Sequence, residues 1–427
     1  MPATITTIDA ILKEVYEKRL IEILNNKCIA RQKFKKESGS WEGRRVRYPV
    51  NLARNQGVMA TTEGGTLPDA GNQTVVETQI PIRFNHGRIQ LTIQTIKHSR
   101  SNKGAFKRAL DMEMQGLVKD LSRDLNRQMF GWGAGILALV NEGSPSGDTT
   151  LEVDAPGGVA GSTNGNRFLF PNMNIAFVNP SNGAIRSGGA RTVSSKNADG
   201  TDVTLNSAPD AAVQNNDYIV RAAKSSSTVI GDTAYNNEIM GLLGLVDDST
   251  YLTTLNNISR DTYPIWESTV ISSVGPLSAD ILQRGLDVSD QRGEGQITDF
   301  LCHHSTRRAY LTLTEGDRRY AGGSLMNPDA GTKAAKMGGV DFGGIPFTID
   351  RDAPFGILFG IDQSPFTRWV EVEGEWADED GTILLRITDV DAYEARYRVF
   401  ENYSNDKPAS CVRWDGIDST VAVIDTP

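Results

Sequence analysis

The chain has 427 residues, 39% hydrophobic and 23% charged, with a formal charge of -9. Such a length predicts about three domains or subdomains, and the composition excludes fibrous, fully disordered and supercharged chains. The acidic balance argues against non-specific wrapping of nucleic acid, which needs an excess of Lys and Arg. Three cysteines, Cys28, Cys302 and Cys411, are odd in number and far apart, so no disulfide framework is expected and a reducing compartment is. No stretch nears ~20 consecutive apolar residues, so no membrane-spanning helix is predicted. The N-terminus lacks the basic start and apolar core of a secretory signal.

In chain order, Ile8, Leu12, Val15, Tyr16, Leu20, Ile23 and Leu24 recur at helical spacing, with Thr4 or Thr7 as cap. Residues 31 to 36 add Arg31, Lys33, Lys35 and Lys36, read as a solvated linker or as an arm on an acidic neighbour. Between 41 and 98 the period becomes two: Val46, Tyr48 and Val50, then Ile80, Ile82 and Phe84, then Ile89, Leu91 and Ile93. Alternation of this kind predicts half-buried strands. The intervening Asn51 to Thr74 holds Gly57, Gly64, Gly65, Pro68 and Gly71 and almost no apolar pattern. It reads as a long projecting hairpin, which cannot bury its own faces and needs another chain to lie on.

The strongest local signal is 102 to 131, where Phe106, Leu110, Met114, Leu117, Leu121, Leu125 and Met129 form one stripe. It predicts an amphipathic helix roughly 40 Å long, ended by Gly131, Gly133 and Gly135. From 141 to about 232 Gly, Ser, Thr, Asn, Asp and Pro dominate, broken by short apolar runs. A small all-β module is expected there, with a hairpin turn at Asp199-Gly200. Beyond about 235 the pattern is mixed α/β. Ser278 opens a helix, Ile297 to Cys302 reads as a strand, and Ser305 to Leu313 as a helix. Gly338 to Phe347 reads as a glycine-rich turn into a strand, and strands are expected at Ile357 to Ile361, Trp369 to Val372, Ile383 to Val390, Ala395 to Val399 and Ser410 to Trp414.

Catalytic motifs are missing. There is no phosphate loop, no Gly-x-Ser-x-Gly elbow, no His-Glu-x-x-His and no paired Cys-x-x-Cys. Cys302-His303-His304 is the densest set of metal-ligand types, but neighbours on a strand point to opposite faces. Asp378-Glu379-Asp380-Gly381 lacks the ligand pattern of a calcium loop. No catalytic, cofactor or metal residue is therefore assigned, and the unusual features are architectural.

The order of those features resembles the major capsid protein family of tailed bacteriophages. The tip Gly57-Val58-Met59-Ala60-Thr61-Thr62-Glu63-Gly64-Gly65-Thr66-Leu67-Pro68 is similar to that family's extended loop. So is the long helix with Phe106, Glu113 and Leu125 running into Gly131-Trp132-Gly133. Gly241-Leu242-Leu243-Gly244-Leu245-Val246-Asp247 followed by Trp266, Gly344-Ile345-Pro346, and the ending from Arg398 to Gly416-Ile417 complete it. The resemblance implies an α+β capsid fold. Its parts would be an N-arm (1–40), an extended loop (41–90), a peripheral domain built on the spine helix (91–136, 235–275 and 383–427) and an axial domain (276–382). An inserted β module (137–234) would be added. It further implies hexameric and pentameric capsomers in an icosahedral virion shell around double-stranded DNA, assembled in the host cytoplasm. Portal, scaffolding and decoration proteins would be partners, with no cofactor and no membrane. The short N-arm implies a scaffolding protein that is separate or already removed.

The residues expected at inter-subunit contacts are Arg44, Arg45, Arg47 and Glu63 in the loop, with Arg123 and Arg127 on the helix, as ion-pairing groups. Val46, Tyr48, Ile80 and Ile82 are expected to bury against a neighbour's spine helix. The competing expectations are an encapsulin-like cargo compartment and an extracellular β-rich adhesin or fibre.

Overall fold

The computed structural model describes residues 29–38, 43–93, 103–143, 145, 147–161, 164–320, 340–378, 383–387 and 390–418, without the side chains of 29, 103–112 and 315–320. The expected N-terminal helix and Cys28 lie outside these residues, as do the side chains of Phe106 and Leu110 and most of the acidic turn after Asp378.

The described chain opens with a helical turn at Ile29–Gln32 and a short strand β1 (Lys35–Glu37). β2 (Arg45–Ala53) and β3 (Thr74–Pro81) form the hairpin, and β4 (Arg83–Thr92) follows at once. The long helix α1 (Lys103–Met129) comes next. Its stripe buries progressively: Met114 and Leu117 are half-buried, Leu121, Leu125 and Met129 fully so.

β5 (Ile136–Val140), β6 (Thr150–Asp154), β7 (Asn174–Val178), β8 (Arg191–Lys196), β9 (Asp202–Leu205) and β10 (Tyr218–Arg221) close into an antiparallel barrel ordered β10-β5-β6-β9-β8-β7. Closure removes the unpaired edges of six short strands. The interior is filled by Leu137, Leu151, Val153, Ile175, Phe177, Val193, Val203 and Ile219. The expected β module is thus a barrel, and β8 and β9 pair across Asp199-Gly200. Gly200 has φ +89°, a left-handed conformation that suits glycine.

After the barrel come the short strands β11 (Thr254–Leu255), β12 (Ile258–Ser259) and β13 (Thr269–Ile271). Helix α2 (Ala279–Gly293) begins at Ser278, whose hydroxyl accepts the Ile281 N–H at 3.3 Å. β14 (Asp299–Cys302), α3 (His304–Tyr320), β15 (Asp341–Phe342), β16 (Ile345–Ile349) and β17 (Leu358–Ile361) follow. The chain then runs through β18 (Phe366–Trp376), β19 (Leu385–Arg386), β20 (Ala392–Asn405) and β21 (Val412–Trp414).

Two sheets organise these strands. A six-stranded mixed sheet has the order β13-β21-β17-β14-β16-β15, with β14 and β16 parallel across α3. The other has the order β1-β18-β20-β19, with β4 paired to β20 as well. β18, expected in the axial segment 276–382, belongs to the sheet of β20, and β13 and β21, expected in the peripheral domain, join the mixed sheet. Periodicity gives each strand a face but not a partner, so sheet membership was not readable. The strand expected at 383–390 shrinks to two residues, whereas β20 runs well beyond 395–399 in both directions.

Trp414 anchors the mixed sheet. It is fully buried, donates Nε1–H to the Ile281 carbonyl at 3.0 Å, and lies against Gly285 and Gly360. A methyl group at Gly285 would overlap its ring. Among the described residues no helix is long and apolar enough to cross a membrane.

Candidate assembly surface

The hairpin divides into a docked base and an open tip. At the base Val46, Ile80 and Ile82 are buried, packed with Tyr48, Trp369 and Phe400 of their own chain. Tyr48 stacks on Trp369 with ring centroids 6.0 Å apart, and its hydroxyl donates to Asp406. Burial and the Asp406 carboxylate raise the Tyr48 phenol above its ordinary range. The Gln79 N–H reaches the Asn256 carbonyl at 2.9 Å. Val46, Ile80 and Ile82, expected to bury against a neighbour, are thus covered within the subunit, while Tyr48 stays partly exposed. Alternation reported a covered face, and the cover is the chain's own sheet.

At the tip, residues 54–73 carry no strand. Asn55 holds the neck: its Oδ1 accepts the Gly57 N–H at 2.7 Å, and its Nδ2 donates to the Gly71 carbonyl at 2.8 Å. A Cβ on Gly71 would press on Asn55 Oδ1, so glycine permits the closure. Beyond the neck Val58, Met59 and Leu67 are 85%, 58% and 78% exposed. Three large apolar side chains on one exposed loop mark an interaction site better than scattered surface residues do.

The charged residues separate likewise. Arg44 and Glu63 are exposed, Arg45 donates to the Gln79 side chain at 2.9 Å, and Arg47 lies 3.4 Å from Glu77. Exposed pairs like the last contribute about 0–1 kcal/mol. On α1, Arg123 sits 3.8 Å from Asp120. Arg127 is buried and reaches Glu238, while its Nε lies 3.1 Å from Asp124. Burial disfavours the Arg127 charge, but the two carboxylates outweigh it and hold the guanidinium above its ordinary range. Arg127, expected at an interface, instead ties the helix to the segment after the barrel. It lies in the polar part of a helix end that is covered all round, from Leu125 to Phe130. Amphipathic periodicity could not show this.

The basic run after residue 30 also turns inward. Arg31 grips buried Glu401 with two bonds of 3.1 and 2.9 Å, and Arg368 donates to the same carboxylate at 2.9 and 2.6 Å. Lys33 pairs with Asp299, Lys35 with Glu37 and Lys36 with Glu373. Between them Phe34 is buried, stacked on Phe366 at 4.8 Å. The acidic neighbour of this arm is the chain itself.

The glycine-rich stretch from Gly241 to Asp247 proves to be a buried hub. Gly241 lies against the carbonyls of Gln128, Met129 and Gly131 at the end of α1, where a Cβ would collide. Asp247, fully buried, accepts the Tyr251 and Leu252 N–H groups at 3.0 Å each. It also accepts Arg260 at 3.0 Å and Arg413 at 3.1 Å. Both arginines are fully buried. Arg413 reaches on to the Val246 carbonyl at 2.7 Å and to Asp415 at 2.9 Å. The hub therefore joins the connector after the barrel to the last strand. Sequence reasoning missed it, because Arg413 lies 166 residues beyond Asp247 in the chain; the one signal was the glycine pattern around Asp247.

The Cys302-His303-His304 set is a strand end. Burial raises the Cys302 thiol to about 12. Burial, then Arg167, His304 and Arg308, lowers His303 to about 2. The neutral His303 ring takes the Ser305 N–H at 3.2 Å. Among the described residues no three His, Cys, Asp or Glu side chains converge on one point.

No family model and no curated protein matches the chain. Solved structures do. The fold matches a chain of the Cyanophage A-1(L) capsid asymmetric unit with TM-score 0.55 and 11% identity, over 96% of this chain and 98% of that one. The capsid of a native GTA particle matches with TM-score 0.50 and 9% identity, over 96% of each chain. The capsid of an empty GTA particle matches with TM-score 0.50 and 8% identity, over 97% and 99%. The chain therefore carries, nearly end to end, the fold of phage capsid chains.

Proposed function

We propose that this chain is the shell subunit of a tailed-phage-type head, assembling into hexamers and pentamers around double-stranded DNA. One observation carries the reading: a hairpin docked at its base and apolar at its tip, on a fold shared with capsid chains. The base fixes the direction of the arm, and the tip offers Val58, Met59 and Leu67 to another copy. A tip-to-body contact joins two different surfaces, so it is head-to-tail, and such contacts close into rings. Many modest contacts then sum to a stable shell. Arg44, Arg45, Arg47 and Glu63 would adjust this contact, whereas Arg127 serves the subunit's interior. The net charge of -9 repels packaged DNA from the wall. Portal, scaffolding and decoration proteins are the expected partners, and the virion is the place of residence.

Deleting residues 55–70 tests the arm. β2 and β3 keep their pairing, so the subunit folds, but capsomers and shells are lost. Normal particles from the deleted chain would refute the bracing role.

A further inference from the structure

The turn after β16 holds two carboxylates, Asp350 and Asp352, against Asn126 in the last turn of α1. The Asp350 N–H donates to the Cys302 carbonyl at 3.0 Å, which fixes this turn to the end of β14. Asn126 and Asp350 are 2% and 3% exposed. One atom joins the three residues: Asn126 Nδ2 donates to Asp350 Oδ1 at 2.9 Å and to Asp352 Oδ2 at 2.7 Å. The Asp352 N–H adds a bond of 2.9 Å to the same Asp350 Oδ1. The second carboxylate oxygen, Asp350 Oδ2, is buried without a hydrogen-bond partner, and so is Asn126 Oδ1. The Ala30 N–H faces the Asp350 carboxyl, short of a hydrogen bond.

These carboxylates have little cationic cover. Arg351 stands 3.8 Å from Asp352 and is itself exposed, and among the described residues no Lys or Arg pairs with Asp350. The arginines nearby serve other groups: Arg127 meets Asp124 and Glu238, and Arg167 donates to the Ala353 carbonyl and lies over the Phe355 ring. Burial accordingly raises the Asp350 carboxyl above its ordinary range, against the pull of its N–H donors. A buried carboxylate needs either a countercharge or a full set of hydrogen bonds.

We infer that Asn126, Asp350 and Asp352 form a site for a hard divalent cation of the calcium class. An amide takes the place of a third carboxylate. Turned over about its Cβ–Cγ bond, the Asn126 amide puts its oxygen where its nitrogen stands. Oδ1 accepts nothing in the present pose, so the turn breaks no bond on its far side. The amide oxygen then lies 2.9 and 2.7 Å from two carboxylate oxygens, the spacing of neighbours around an ion with bonds of ~2.3–2.6 Å. Asp350 Oδ2 makes that carboxylate bidentate. An all-oxygen set with a bidentate carboxylate suits Ca²⁺, whereas Mg²⁺ demands a tighter octahedron and keeps its waters. Asp352 also lines a cavity of about 20 Å³ with Trp132 and Pro354, which has room for a water ligand. The ion clasps the end of α1 to the turn after β16, and so joins the long helix to the mixed sheet. All three ligands belong to one subunit, so the site is independent of the assembly reading.

Calcium titration of the full-length protein tests it. After EDTA treatment the thermal midpoint rises with the logarithm of free Ca²⁺, and Mg²⁺ at equal concentration moves it less. Tb³⁺, an oxygen-seeking substitute for Ca²⁺, reads the site locally, because Trp132 on the same cavity sensitises its emission. Added Ca²⁺ displaces it, and Trp132→Phe weakens the signal. Asp352→Asn keeps the shape, removes one ligand charge and weakens binding at least about tenfold. Asn126→Asp separates an ion ligand from a mere hydrogen-bond donor. Its third carboxylate lowers the midpoint in EDTA, and Ca²⁺ restores it. The wild-type titrations decide by themselves should either variant fail to fold. A midpoint insensitive to Ca²⁺, an equal response to Mg²⁺, binding unchanged in Asp352→Asn, or an Asn126→Asp loss that Ca²⁺ does not repair overturns the site.

Discussion

Replacing Asp247 by alanine is the sharpest probe of the subunit's interior. Its two oxygens accept two backbone N–H groups and two arginines, and all three charged side chains are fully buried. Arg413 retains Asp415, and its Nη1 retains the Val246 carbonyl. Arg260 keeps only the carbonyls of Leu252 and Gly244, both at 2.7 Å, so its charge loses its counter-ion. Breaking one side of a buried pair costs about 3–5 kcal/mol, and that range is expected for Asp247→Ala. Arg260→Met leaves Asp247 with Arg413 and two N–H donors, and about 1–3 kcal/mol is expected, the cost of leaving buried groups unpaired. The double variant removes the orphaned charge, so its cost falls short of the sum of the singles by at least about 1 kcal/mol. Urea denaturation of all four proteins, followed by tryptophan fluorescence, measures the cycle. An Asp247→Ala cost under about 1 kcal/mol, or strict additivity, would refute the claim of a buried, charge-paired hub.

Other perturbations follow from single contacts. Gly285→Ala forces a methyl into the Trp414 ring and lowers stability by about 1–3 kcal/mol, seen as an earlier denaturation midpoint. Arg31→Ala leaves Glu401 paired with Arg368, so the body stays folded while amides of 29–37 exchange faster with deuterium; unchanged exchange would contradict the docked arm. His303 is held neutral, with its folded pKa near 2 against an ordinary 6.5. The unfolded chain binds the proton that the folded chain rejects, so this group's effect is negligible above pH 6.5 and destabilises as pH falls below it, by at most about 1.4 kcal/mol per pH unit. His303→Asn should flatten that part of the stability profile, and an unchanged slope would show that the ring is protonated in place.

Much of the architecture was legible because it is written in local periodicity. The stripe from Met114 to Met129 marked α1, and the alternation around Val46 and Ile80 marked the hairpin strands. Glycine and proline between Asn51 and Thr74 marked the projecting tip. Residues that act by meeting distant partners were not legible. Val46 and Ile80 announced a buried face without saying that Trp369 and Phe400 cover it. Arg31 through Lys36 announced charge without naming Glu401, Asp299 and Glu373 as its partners. The sheet exchange of β13 and β18 depends on pairing some 140 and 30 residues away, respectively, which no local pattern encodes. The pairing of β4 with β20 is hidden for the same reason, because His86 meets Arg398 only through register.

Electron microscopy of the purified protein, expressed alone and with its genomic neighbours, addresses assembly most directly. The full chain is expected to give capsomer rings or uniform closed shells, and the chain lacking residues 55–70 neither. A monodisperse small oligomer from the full chain under every condition would contradict it.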